Sequence, residues 1–377
     1  MLYRYYIHIY INIINYNIIN IINNINNINY INYIIINYNN NILIKMIQSE
    51  DLIKLAVAYG VLMVIGVLYD KYKRKEETKE RLSDYDMIQK YLLNDASLAS
   101  SKKPILWIHV EFEKNARNWE SFGSRTSMEL NQPYLFLTIR SLIQKCGESF
   151  NVCLIDDSSF HKVIPGWATK VNNLPSPLSA HLRELALANL LEMYGGMVMP
   201  ASFICFNDLY PAYKALTDKY DAFAGEMPAR TSVTAQVRFF PSTRVMGCKR
   251  DSAAMRAYIT HLERAVSKDC TAEFDFSGES GRWFFGQMAG ENAMRVGQIS
   301  AADLGCKNMR TLKPVLIEHL LGEEDFALSP DALGIYVPAD EILKRTAYQW
   351  FAALPPRQVL ESNTMIAKYL LASEVAE

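Results

Sequence analysis

From residue 103 onward, short apolar runs alternate with stretches where apolar residues recur every three or four positions. "KPILWIHVEF" (103–112) and "FNVCLIDD" (150–157) are apolar almost throughout and predict buried strands. "PYLFLTIRSLIQKCG" (133–147) has helical spacing, a proline at its start and a glycine at its end. "SPLSAHLRELALANLLEMYGG" (176–196) predicts a helix stopped by two glycines. "MVMPASFICF" (197–206) then reads as one strand containing a proline, followed by short strands in "YDAFAGE" and "QVRFFPST" (236–243). "RDSAAMRAYITHLERAVS" predicts another helix, and the aromatic-rich C-terminal stretch a helical cap packed on the sheet. Alternating strands and helices imply an α/β domain with a mostly parallel sheet flanked by helices. Ligands of such sheets sit beyond the carboxyl ends of the strands, here His109–Glu113, Asp156-Asp157 and Pro200–Ser202.

The N-terminal part has a different pattern. Residues 1–45 are almost entirely Ile, Asn and Tyr, a low-complexity leader. AT-rich codons encode such a peptide, so Met46 is the expected start and the leader is assigned no function. Leu55–Tyr69 is unbroken apolar sequence, and 52–70 has roughly the 20 residues a bilayer span needs. Glu50 and Asp51 precede it, whereas Lys71, Lys73, Arg74 and Lys75 follow it. The positive-inside rule therefore predicts a single-pass anchor with the C-terminal domain on the cytosolic side. Residues 71–103, charged and then Ser-rich, read as stalk and linker, leaving 104–377 as the globular domain.

A net charge of -1 gives no reason to expect a nucleic-acid partner. Six scattered cysteines include no C-x-x-C pair, which argues against zinc or redox motifs. There is no N-x-[ST] sequon, no Walker ending after "GESGRW", no H-E-x-x-H and no G-x-S-x-G.

The order "KPILW" (103–107), "VCLIDD" (152–157), "SAHLR" (179–183), "YGGMVMPAS" (194–202) resembles the capsular-polysaccharide-synthesis and DXD-containing sugar transferases, over roughly residues 103–216. The resemblance implies a GT-A-like fold, a nucleotide-sugar donor and a glycan or lipid-linked acceptor. It also implies donor-binding roles for Trp107, Asp156, Asp157, Arg183, Gly195, Gly196 and Ser202. Trp107 matches a first-strand aromatic that can stack on a base, and Arg183 the arginine of S-D-x-x-R, suited to phosphate. The family's acids are replaced: Ala180 stands for the S-D-x-x-R aspartate, and Pro200 and Ser202 for those of D-x-D. Proline brings no carboxylate and serine no charge, so the usual Mg or Mn site is expected to be lost. It would survive only if Asp156, Asp157 or Asp275 rebuilt it. Two functions follow: nucleotide-sugar-dependent transfer if the protein is active, or an inactive transferase fold with a binding or structural role at a membrane. Polar residues 111–134, including Arg117, Arg125, Trp119 and Phe122, lie at the expected ligand edge.

Overall fold

The computed structural model describes residues 103–110, 132–171, 174, 177–232, 237–267, 277–290 and 294–375, with a few positions between 63 and 71. Two compact units divide the chain, Met1–Gln89 and Lys90–Glu377. In the first, only Met63, Gly66–Tyr69 and Lys71 are described, as helix. The rest of the predicted anchor 52–70, the leader 1–45 and the stalk up to 102 lie outside the described residues. Among the described residues, no helix is long and apolar enough to cross a membrane.

The second unit is a mixed α/β structure. Strands β1 (Ile105–His109), β2 (Asn151–Ile155), β3 (Gly196–Pro200), β5 (Ala222–Pro228), β6 (Phe239–Cys248) and β7 (Val296–Ile299) form one sheet in the order β2-β1-β3-β6-β5-β7. Only β6 runs against its neighbours; β1 is parallel to β2 and β3, and β5 to β7. Strands β4 (Phe203–Cys205) and β8 (Gly334–Tyr336) pair separately. Helices α1 (Tyr134–Cys146), α2 (Phe160–Val163), α3 (Leu178–Tyr194), α4 (Tyr210–Lys219), α5 (Ala253–Ser267) and α6 (Glu279–Ala289) accompany the sheet. After β7 come α7 (Ile317–Leu321), α8 (Ala339–Lys344), α9 (Gln349–Ala352), α10 (Pro356–Leu360) and α11 (Met365–Val375).

Side chains of a strand alternate between faces, and both faces here are covered. Ile105, Trp107, Val198, Ala224 and Met246 share one core with residues of α3, α5 and α6. The alternate positions Leu106, Ile108, Met197, Met199 and Phe223 are equally buried. Phe223 meets Tyr213 of α4 edge-on, with ring centroids 6.2 Å apart. Burial on both sides explains why these strands read as continuous apolar runs rather than as alternating ones.

The stretch 197–206 is not one strand. Pro200 closes β3 beside His109 of β1, beyond the part of β3 that pairs with β6. Lacking an N–H, it fits a strand end better than a ladder interior. A turn at Ala201-Ser202 then sends the chain into β4. The Thr138 hydroxyl donates to Ala201 O at 2.5 Å and Val337 N–H to Ser202 O at 3.1 Å, so the turn is tied on both sides. The expected strand 236–243 runs on to Cys248, because pairing with β3 and β5 extends it. The C-terminal helices pack on α1 and β4 rather than on the main sheet; Phe351, for example, lies 5.1 Å from Tyr134.

Gly195 and Gly196 set the entry to β3, with φ of 72° and 103°. A Cβ on Gly196 would stand 2.0 Å from Ile105 O, so only glycine lets β3 lie against β1 there.

Candidate functional site

A cleft of about 520 Å³ opens at the carboxyl ends of β1, β3 and β5. Its walls include His109, the Pro200–Ser202 turn, the end of β5 and the start of β6. Helix α3 contributes Ala180, Arg183, Glu184 and Leu187, spaced to share one helix face. The first turn of α6, with Tyr336, Asp340 and Leu343, completes the walls. The cleft occupies the sheet edge where ligands of open α/β sheets bind.

Beside it, Asp157 follows β2 and meets Arg183. The guanidinium donates to both carboxylate oxygens, from Nε at 2.8 and 3.0 Å and from Nη2 at 2.8 Å. His109 Nε2 lies 2.9 Å from Oδ1 of the same carboxylate, its ring stacked on Phe160. The Asp157 side chain is only 6% exposed and that of Arg183 21%. Burial raises the Asp157 pKa, but the hydrogen bonds and charges of His109 and Arg183 outweigh it and bring the carboxyl down to about 2.

Glu184, the next residue on α3, accepts hydrogen bonds from three other elements. Tyr258 of α5 donates at 2.5 Å, Ser280 of α6 at 3.1 Å, and Thr243 of β6 also donates. Burial and the Glu184 charge hold the Tyr258 hydroxyl well above the phenol range, so it stays a donor. Glu184 was not visible as a site residue in the sequence, because its partners come 59 to 96 residues later.

A second charged group lines the cleft through α8. Asp340 takes Arg244 Nη2 at 3.3 Å and stands 3.9 Å from Arg230 Nη1, and Arg230 also pairs with Glu341. Burial raises the Asp340 pKa, yet Arg244, Arg230 and Lys344 together hold it below the usual carboxylate range.

The expected donor-binding residues therefore divide. Arg183 and Ser202 line the cleft, and Asp157 stands directly behind Arg183. Trp107 does not offer a stacking face: it is fully buried, and its indole N–H donates to Gly195 O at 3.0 Å. Gly195 and Gly196 lie at the amino end of β3 and do not line the cleft, which takes Val198, Met199 and Pro200 from that strand. Asp156 turns into its own loop, accepting Ser158 Oγ at 2.7 Å and Ser159 Oγ at 2.6 Å, which is the turn-capping arrangement "DDSS" favours. Asp275 and the polar stretch 111–131 lie outside the described residues.

Among the described residues, no three His, Cys, Asp or Glu side chains converge. Of the cleft carboxylates, Glu184 is engaged by hydroxyls and Asp340 by arginines, Glu279 stands in the first turn of α6, and the β3 end presents none.

No family model matches the chain. No curated protein matches it either. Among solved structures, it is similar to a 4-diphosphocytidyl-2C-methyl-D-erythritol synthase from Anaerococcus prevotii DSM 20548. That likeness has 9% identity and a TM-score of 0.25, and covers 53% of this chain and 90% of that one. It is too distant to bear on function.

The Asp157 clamp makes a pH prediction. The folded pKa lies below the unfolded value, so its stabilisation is complete above about pH 4 and fades as pH falls through about 2. Wild-type protein should lose about 2 kcal/mol over that interval through this group. Asp157→Asn should be less stable at neutral pH and lack this component, as followed by urea midpoints at each pH. Parallel pH curves for the two proteins would contradict the assignment.

Proposed function

We propose that the globular unit is a glycosyltransferase-like, GT-A-like domain that has kept a sugar cleft and lost metal-dependent donor chemistry. On this reading the protein is an inactive transferase fold with a binding role at a membrane. The observation that carries it is the β3 end. Where the resembling transferases place acids, this chain has Pro200-Ala201-Ser202, and the described residues hold no cluster of three metal-ligating side chains. A diphosphate leaving group needs a charge to take up its developing negative charge. Arg183 is the cation best placed to do so without a metal, which would favour metal-independent transfer. Its guanidinium, however, is already shared with Asp157.

The test is calorimetry on the full chain with UDP-glucose and GDP-mannose, with and without Mn²⁺, alongside release of free UDP or GDP. Mn²⁺ should strengthen neither binding nor turnover. An affinity gain of about tenfold or more with Mn²⁺, the size expected when a metal bridges carboxylates and diphosphate, would refute the loss of the metal site.

The setting at a membrane rests on residues 52–70 and the lysines and arginine that follow them. The C-terminal domain is assigned to the cytosolic side. In sealed, cytosolic-side-out vesicles, added protease should digest that domain; protection until detergent is added would reverse the orientation.

A further inference from the structure

Two arginines reach the cleft from the β5–β6 side, and an irregularity in the sheet helps to place them. Ala224 pairs with Met246 but its neighbour Gly225 pairs with Ser242, so Thr243, Arg244 and Val245 form a bulge in β6. Bulges redirect side chains, and are common at sheet edges and beside functional sites. This one brings Thr243 and Arg244 to the cleft wall, where Arg230, two residues past the end of β5, joins them.

Both guanidiniums converge on one carboxylate. Arg244 Nη2 stands 3.3 Å from Asp340 Oδ2, and Arg230 Nη1 3.9 Å from Asp340 Oδ1, so each oxygen faces a different arginine. Arg230 also pairs with Glu341, and Lys344 Nζ lies 3.8 Å from Asp340 Oδ2. Two guanidiniums on the two oxygens of one anion is an arrangement by which arginines hold carboxylate and phosphate ligands. Here the anion comes from α8 of the same chain. That helix has other anchors: Ile342 is fully buried, and Arg345, just past its end, pairs with Glu318. The arginines at Asp340 are partly in solvent, the Arg230 side chain 32% exposed and that of Arg244 49%. Ion pairs so exposed add little to stability. Their larger consequence falls on the cleft, where acids from one turn of helix neutralise two cations of the wall.

We propose that Arg230 and Arg244 form a subsite for a small oxyanion, a carboxylate or phosphate group, and that Asp340 and Glu341 occupy it from within and so keep the cleft closed to anions. The inference rests on the reading of the cleft as the ligand site and adds how that site is blocked. An incoming anion has to displace the Asp340 carboxylate, so the wild-type protein binds anions weakly. Arg244 also lies over the Tyr336 ring at 6.0 Å, a contact that holds the guanidinium at the wall when the carboxylate charge is removed.

The experiment is calorimetry on the full chain in detergent, without metal, using inorganic pyrophosphate and succinate as probes. The double variant Asp340→Asn, Glu341→Gln should bind one of them about tenfold or more tightly than wild type, the gain expected when charge-assisted hydrogen bonds become available to a ligand. That gain should shrink several-fold between roughly 50 and 500 mM NaCl. Adding Arg244→Gln to the double variant should return its affinity to the wild-type level. The single variants Asp340→Asn and Glu341→Gln should fall between, and they carry the test if the double variant does not fold. The probe that gains distinguishes a phosphate from a carboxylate ligand. Affinities in the neutralised variants no higher than in wild type would overturn the self-occupied subsite, as would a gain that survives Arg244→Gln. Either failure leaves the loss of the metal site to be decided separately, by the response to Mn²⁺.

Discussion

The side chains of Asp157 and Arg183 are committed to one another, and much of the site's character depends on that pair. Asp157 leaves the carboxyl end of β2, Arg183 projects from α3, and His109 joins them from the end of β1. The pair fixes α3 against the sheet edge where the cleft opens. It also withdraws two groups from chemistry. A carboxylate with both oxygens on a guanidinium is poorly available to a metal, and a guanidinium so held has fewer donors left for a phosphate. Removing either partner would leave a buried charge uncompensated, which is far more costly than the pair's net contribution.

Glu184 extends this anchoring one residue along. Its carboxylate gathers hydroxyls from β6, α5 and α6, so the helix bearing Arg183 is fixed from two sides. In the described walls of the resulting cleft three arginines stand against three carboxylates. Such a wall is poorly suited to holding an anion whose charge grows during bond cleavage.

Much of this architecture was legible in the sequence. The apolar runs at 105–109 and 151–155, the spacing of 134–146 and 178–194, and the double glycine gave the strands and helices in their observed order. These features are local: burial on both faces, helical periodicity and positive φ each leave a mark on neighbouring residues. The break at Ala201-Ser202 was hidden, because "MVMPASFICF" is apolar on both sides of a turn set by contacts with Thr138 and Val337. The site divided for the same reason. Arg183 and Ser202 were found through a motif pattern, whereas Glu184, Tyr336 and Asp340 come together only by long-range folding. Trp107 shows the opposite limit. A tryptophan in a strand looks the same in sequence whether it faces a ligand or, as here, the core.

The central claim is that Asp157 and Arg183 serve each other and not a metal or a phosphate. A double-mutant cycle with Asp157→Asn, Arg183→Gln and the combined variant, read as unfolding free energies from denaturant titration at neutral pH, tests it most directly. The account predicts a coupling of about 1–3 kcal/mol, with the double variant less damaged than the two single losses added together. Additivity within about 0.3 kcal/mol would mean that the two side chains do not depend on each other, and would contradict it.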